Sequence, residues 1–255
     1  MILGGVAQLL IVLLAGLVSG ALNSVGGGGS FVAFPVLVAA GLAPVTANAA
    51  TTVALLPGGL ASLWVYRREL QPLAGTSTRT LTATSVVGGG LGAVLLLSLP
   101  SDSFDAVVPW LLACATLILA FGRRVAAALK TGALNQPTIL GGQFVLALYG
   151  GYFGGAVGLM MVAFWSIGLG LDPARGNPPR VAQLAAIYFT ATVIFLLASD
   201  VADRPTTLAA LIAGAVAGGF SGATVARRLS PSVLRALVLT LAIAMTVVYF
   251  VKASR

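Results

Sequence analysis

The chain has 255 residues, 58% of them hydrophobic and 8% charged, with a mean hydropathy of +1.04; soluble domains carry about 25% charged residues, so a soluble fold is excluded and an all-α polytopic membrane protein is expected. The net charge of +8 comes from basic residues standing singly or in pairs at segment ends, with no basic stripe for nucleic acid. Histidine is absent and Cys114 is the single cysteine, which removes the commonest metal ligand, the commonest proton shuttle and any internal disulfide.

Apolar stretches bounded by charge, Pro and Gly fall at about 2–22, 31–42, 46–66, 80–99, 106–122, 138–153, 159–171, 181–199, 206–226 and 233–251. The first has no charged residue ahead of it apart from the amino terminus, so it is expected to be retained rather than cleaved as a signal peptide. Two of the segments, 31–42 and 159–171, reach only about 20 Å at 1.5 Å per residue, short of a hydrocarbon core of about 30 Å. Each follows a glycine break: Gly26 to Gly29 in the first case, Gly154, Gly155 and Gly158 in the second.

Glycine in a helix interior costs about 1 kcal/mol relative to alanine, so four in succession end the helix and free peptide groups from intrahelical bonds. Irregular backbone at membrane depth survives only where it is packed in protein or lines a watery cavity. The run before Ser30 therefore reads as the tip of a broken helix at a solute site, with a tight helix crossing or a kink as the plainer alternative.

Taking the loop after Tyr66 as cytoplasmic and alternating through full crossings puts 11 of the 14 basic residues inside: Arg67, Arg68, Arg79, Arg123, Arg124, Lys130, Arg175, Arg180, Arg227, Arg228 and Arg235. Only Arg204, Lys252 and Arg255 remain outside, with Asp102, Asp105, Asp200 and Asp203. The loops at about 123–137 and 172–180 then share one face, so 138–171 is expected to be a re-entrant hairpin. The same reasoning makes 2–42 a hairpin from the opposite face and leaves both termini outside.

Gly41-Leu42 recurs as Gly170-Leu171, an offset of 129, and Gly88-Gly89 with Gly92-Ala93 recurs as Gly218-Gly219 with Gly222-Ala223, an offset of 130. The expected fold is two inverted repeats, each a glycine-broken hairpin followed by three transmembrane helices. The first repeat covers 1–122, a cytoplasmic linker 123–137, and the second repeat 138–255. The paired glycines within 88–92 and 218–222 have the small-xxx-small spacing of close helix packing, within the monomer or across a homodimer.

The opening pattern Gly16-x-x-Ser19-Gly20, then Gly26-Gly27-Gly28-Gly29-Ser30 with Pro35, the Gly41-Leu42 turn and the run Ala47-Asn48-Ala49-Ala50-Thr51-Thr52 resemble the TauE/SafE family of sulfite exporters. The likeness extends over essentially the whole chain. In the second half the glycine run is reduced to Gly154-Gly155-Ala156-Val157-Gly158, and Phe164 stands roughly where Pro35 stands in the first. The resemblance implies export or uptake of small sulfur oxyanions or organosulfonates, sulfite above all, across the plasma membrane.

From the residues alone, the break suits an anion. Each returning arm begins at a tip, with free N–H groups and about +0.5 elementary charge from the helix dipole, so two facing tips would offer roughly one positive charge. The expected substrate-binding set is Asn23, Ser24, Gly28, Gly29, Ser30, Asn48, Thr51 and Thr52 in the first repeat, and Ala156, Val157, Gly158 and Gln183 in the second. Arg175 and Arg180 read as snorkelling topology anchors that could also draw anions in. Ordinary helix-to-helix hydrogen bonding is the plainer role for the polar side chains.

The six acids lie in loops or at segment ends, and no Ser–His pair, Asp pair or metal cluster can be assembled, so neither an enzyme nor a metal or cofactor is expected. Gly88-x-Gly90-x-x-Ala93 fits a dinucleotide fingerprint only as a string, since no strand precedes it. The reading is a secondary transporter of a small anionic sulfur compound working by alternating access. A passive anion channel or a non-transporting subunit of a larger complex are the alternatives.

Overall fold

The computed structural model describes residues 5–73, 75–128, 134–171, 173–225 and 231–253. Ten α-helices follow one another among them: α1 Gly5–Val25, α2 Ser30–Ala39, α3 Pro44–Tyr66, α4 Thr78–Ser98, α5 Ser101–Ala128, α6 Gln136–Tyr152, α7 Val157–Leu169, α8 Pro173–Ala198, α9 Pro205–Val225 and α10 Pro231–Ala253. Part of the expected linker, residues 129–133, lies outside the described residues, as do Asp172, Arg227, Arg228 and Arg255.

Several helix starts follow from local chemistry. Proline opens α3, α8, α9 and α10, where its missing N–H and fixed φ cost nothing. Ser77 caps α4 by accepting from the Thr80 amide at 3.1 Å, and Asn135 caps α6 by accepting from the Thr138 amide at 3.1 Å. Helix α5 starts at Ser101, earlier than its apolar stretch, because Asp102 in the first turn suits the positive end of the helix.

Six helical stretches are long and apolar enough to cross a bilayer: Gly5–Val25, Pro44–Tyr66, Thr78–Ser98, Ser101–Ile118, Arg175–Ala198 and Pro205–Gly222. Large apolar side chains such as Leu14, Trp110, Val145, Leu197 and Val247 face outward. An outside so apolar around a packed helical interior is that of a multi-pass membrane protein. Both short helices sit where the glycine breaks predict, α2 after Gly29 and α7 after Ala156.

Glycine faces set the closest packing. Helix α1 lies along α9, with Gly16 and Gly20 against the Leu211 and Ala215 backbone, and with Gly214, Gly218 and Gly222 against Leu13, Leu17 and Ala21. Helix α4 lies along α6 in the same way: Gly88 and Gly92 meet Phe144, Ala147, Leu148 and Tyr152, and Gly89 meets Gly151. The small-residue pairs thus join helices within one chain. Between them, Gly58 of α3 packs on α9 and Gly89 of α4 packs on α8, while α5 and α10 meet through Thr116 and Thr246, whose hydroxyl oxygens are 3.0 Å apart.

One boundary corrects the sequence reading. Helix α8 begins at Pro173, not near 181, and carries Pro178 and Pro179 inside it. Arg180 is therefore not a cytoplasmic anchor at a segment end: it is 1% exposed, deep in the protein. Proline pairs normally mark a helix boundary, but in a bundle of membrane helices neighbours re-satisfy the freed carbonyls and the helix continues.

Candidate functional site at the hairpin tips

Helix α1 ends at Val25 and the chain reverses through Gly26 to Gly29, with Gly27 at φ +78°. Helix α6 ends at Tyr152 and reverses through residues 153–156, with Gly154 at φ +75° and Ala156 at φ +58°. Gly27 and Ala156 are 129 positions apart, the offset seen in the Gly-Leu turns, so the two tips turn at corresponding residues. Alanine in this left-handed region carries a steric cost of about 1 kcal/mol, which the packing around the tip must hold in place.

The tips touch. A Cβ on Gly27 would stand 2.7 Å from the Gly158 Cα, and one on Gly158 would stand 3.0 Å from the Gly27 Cα. Each of those Cβ atoms would also lie 2.8 Å from Nη1 of Arg180. Only glycine leaves room for this approach, and the guanidinium fills what the missing side chains free.

Arg180 is held by neutral oxygens. Its Nη1 donates to the Asn23 carbonyl at 3.0 Å and its Nη2 to the Ser24 carbonyl at 2.8 Å, while Nε and Nη2 both donate to Asn177 Oδ1, at 3.0 and 2.6 Å. The two carbonyls lie at the C-terminal end of α1, where a cation is favoured; that of Asn23 also accepts from the Gly27 amide at 3.1 Å. Across the tips the mirror contact is made by an amide: Asn48 Nδ2 donates to the Tyr152 carbonyl at the end of α6, at 2.9 Å. The offset of 129 sets Asn177 opposite Asn48 and Arg180 opposite Thr51. One hairpin is thus capped by a neutral side chain and the other by a charge.

This placement corrects two sequence-based expectations. Basic residues are not confined to segment ends, since Arg180 is buried at the contact of the two tips. The dipoles alone also do not supply the charge, because each tip brings together the N-terminus of one arm and the C-terminus of the other, and their half charges offset. The net positive charge at the tips is that of Arg180.

Every residue of the expected set is buried. Asn23, Ser24, Gly28, Gly29 and Ser30 lie at the first tip, with a Cβ on Gly29 meeting the Ser19 carbonyl and the Asn23 Cβ; Ala156, Val157 and Gly158 form the second. Of the amides expected to be free near the first tip, that of Phe31 donates to the Gly28 carbonyl at 3.2 Å. Asn48 reaches the second tip through Tyr152, whereas Thr51 spends its hydroxyl on the Ala47 carbonyl of its own helix at 2.8 Å. Gln183 sits one turn beyond Arg180 in a separate cluster, where Oε1 accepts from Ser85 at 2.9 Å and Nε2 donates to Thr82 at 3.2 Å. Gln143 joins that cluster through Ser85 at 2.9 Å. Tyr188 of α8 brings its ring beside Gly154 at the second tip, and its hydroxyl is buried without a hydrogen-bond partner among the described residues. On α1, the Asn23 Oδ1 and the hydroxyls of Ser19 and Ser24 are buried without a hydrogen-bond partner.

Residues 12–249 match the family model described as sulfite exporter TauE/SafE. The chain belongs to the TauE/SafE sulfite exporter family. A Haemophilus influenzae protein described as a probable membrane transporter is similar to it, at 24% identity over 250 residues covering 95% of this chain and 94% of that protein. Membership makes this member of the TauE/SafE family a membrane transporter, and it fits a bundle whose two glycine breaks meet at a buried arginine.

Proposed function

We propose that this TauE/SafE protein carries a small sulfur-containing oxyanion, sulfite foremost, across the plasma membrane by alternating access, with the substrate held where the two hairpin tips meet. The observation that carries the reading is Arg180: a buried cation bonded only to neutral oxygens among the described residues, with Nη1 at the contact of Gly27 and Gly158. An unneutralised charge in a membrane interior is costly and marks a substrate or ion pathway. The tip residues Asn23, Ser24, Gly28, Gly29, Ser30, Ala156, Val157 and Gly158 would surround the anion. Asn48, Thr51, Thr52 and Gln183 would support the backbone from α3 and α8.

The inverted-repeat plan is supported by the exchange of partners, in which α1 packs on α9 as α6 packs on α4, and by the matched turns at Gly27 and Ala156. Repeats over 1–122 and 138–255, with both termini outside, agree with the 10-to-3 distribution of basic residues that remains once the buried Arg180 is set aside. Counterflow tests the function: in proteoliposomes, labelled sulfite should enter with saturable kinetics and faster when unlabelled sulfite is loaded inside. Flux that rises linearly with sulfite and ignores the internal load would make the protein a channel.

A further inference from the structure

We infer that the tip site selects its anion by charge number, taking singly charged oxyanions, sulfonates and bisulfite, and rejecting doubly charged ones such as sulfate. The inference rests on the tip site proposed above and concerns what that site can neutralise. Arg180 contributes one positive charge at 1% exposure, and among the described residues its hydrogen-bond acceptors are neutral: two main-chain carbonyls and one amide oxygen. Among the described residues, the titratable groups facing it are the phenols of Tyr66 from α3 and Tyr188 from α8, neutral in their ordinary state. The hairpin dipoles offset one another within each tip. One negative charge therefore brings the site to neutrality, and a second would be buried without a partner.

Two further features point the same way. Four of the five guanidinium N–H donors are spent on Asn23, Ser24 and Asn177, so the hydrogen left on Nη1 can serve one substrate oxygen directly, too few donors for two full charges. On α1, in the residue whose carbonyl holds Nη1, the buried Asn23 Oδ1 is an acceptor with no partner among the described residues, which repels an added anionic oxygen and would accept a proton carried by the ligand. Bisulfite carries such a proton and sulfite does not.

Calorimetric titration of the purified protein with methanesulfonate and with sulfate, permanent singly and doubly charged anions of similar size, tests this. Methanesulfonate should bind, and sulfate should bind about a hundred-fold more weakly or not at all, the scale set by burying one unpaired charge. Sulfate binding as tightly as methanesulfonate would overturn the charge-number rule and leave the tip site standing. If neither anion binds, nor sulfite, the tip site itself is wrong and the rule falls with it. Arg180→Gln, with folding checked by its melting curve, separates charge from shape: a folded variant that has lost methanesulfonate supports the rule, and a folded variant that still prefers methanesulfonate to sulfate contradicts it.

Discussion

An arginine and an asparagine close the two broken helices, and the difference between them decides what the site can do. Both donate to carbonyls in the last turn of a broken helix, yet only Arg180 adds charge. Asn48→Ala removes the donor to the Tyr152 carbonyl and leaves that buried oxygen unpaired, so stability should fall by about 1–3 kcal/mol. The readout is the unfolding midpoint in detergent, and an unchanged midpoint would mean the carbonyl finds another donor. Gly158→Leu should abolish transport outright, because a side chain there meets both the Gly27 backbone and Arg180. The neutral tip residues were legible in the sequence, since four glycines before Ser30 have few other uses in an apolar segment. Arg180 was not, because it follows Pro178-Pro179 and resembles a loop residue at a segment end. The repeat offset held the missing clue: counting 129 residues from Asn48 and Thr51 leads to Asn177 and Arg180.

Among the helices, glycine decides which ones lie close. The contacts of α1 with α9 and of α4 with α6 run over glycine backbones where a Cβ has no space, as at Gly92 against Leu148 and Tyr152, and at Gly218 against Leu17 and Ala21. Leucine at Gly92 or Gly218 should force those helices apart and cost about 1–3 kcal/mol or more, as overpacking does. Thermal melts in detergent measure it, and a variant as stable and active as the parent would show that the helices can separate freely. This layer was readable from the spacing of glycines within 88–92 and 218–222, which needs only helical periodicity. Which helix each would face was not readable, because a small residue announces a close neighbour without naming it. The early start of α8 was hidden for a different reason: proline signals learned from helices in water overstate breaks where neighbouring helices hold the freed carbonyls.

At the scale of the molecule, an apolar exterior encloses two hairpins that meet at the one buried charge among the described residues. The basic-residue distribution predicts a topology that chemistry can check: in a Cys114→Ser background, cysteine at Ser101 should react with an impermeant thiol reagent from outside. Cysteine at Gln71, in the loop between α3 and α4, should react only from the cytoplasm, and the reverse pattern would invert the orientation and undo the charge-based reading. If the tips are the site, anion affinity must depend on the arginine between them and not on the exposed one five residues earlier. The decisive measurement is sulfite binding by calorimetry to Arg180→Gln and Arg175→Gln side by side, with folding of each checked by its melting curve. The tip site predicts that Arg180→Gln, still folded, loses binding while Arg175→Gln binds within a few-fold of the parent, a surface charge affecting rate and salt dependence more than affinity. Binding that survives in folded Arg180→Gln and disappears in Arg175→Gln would place the anion at the surface and contradict the buried site.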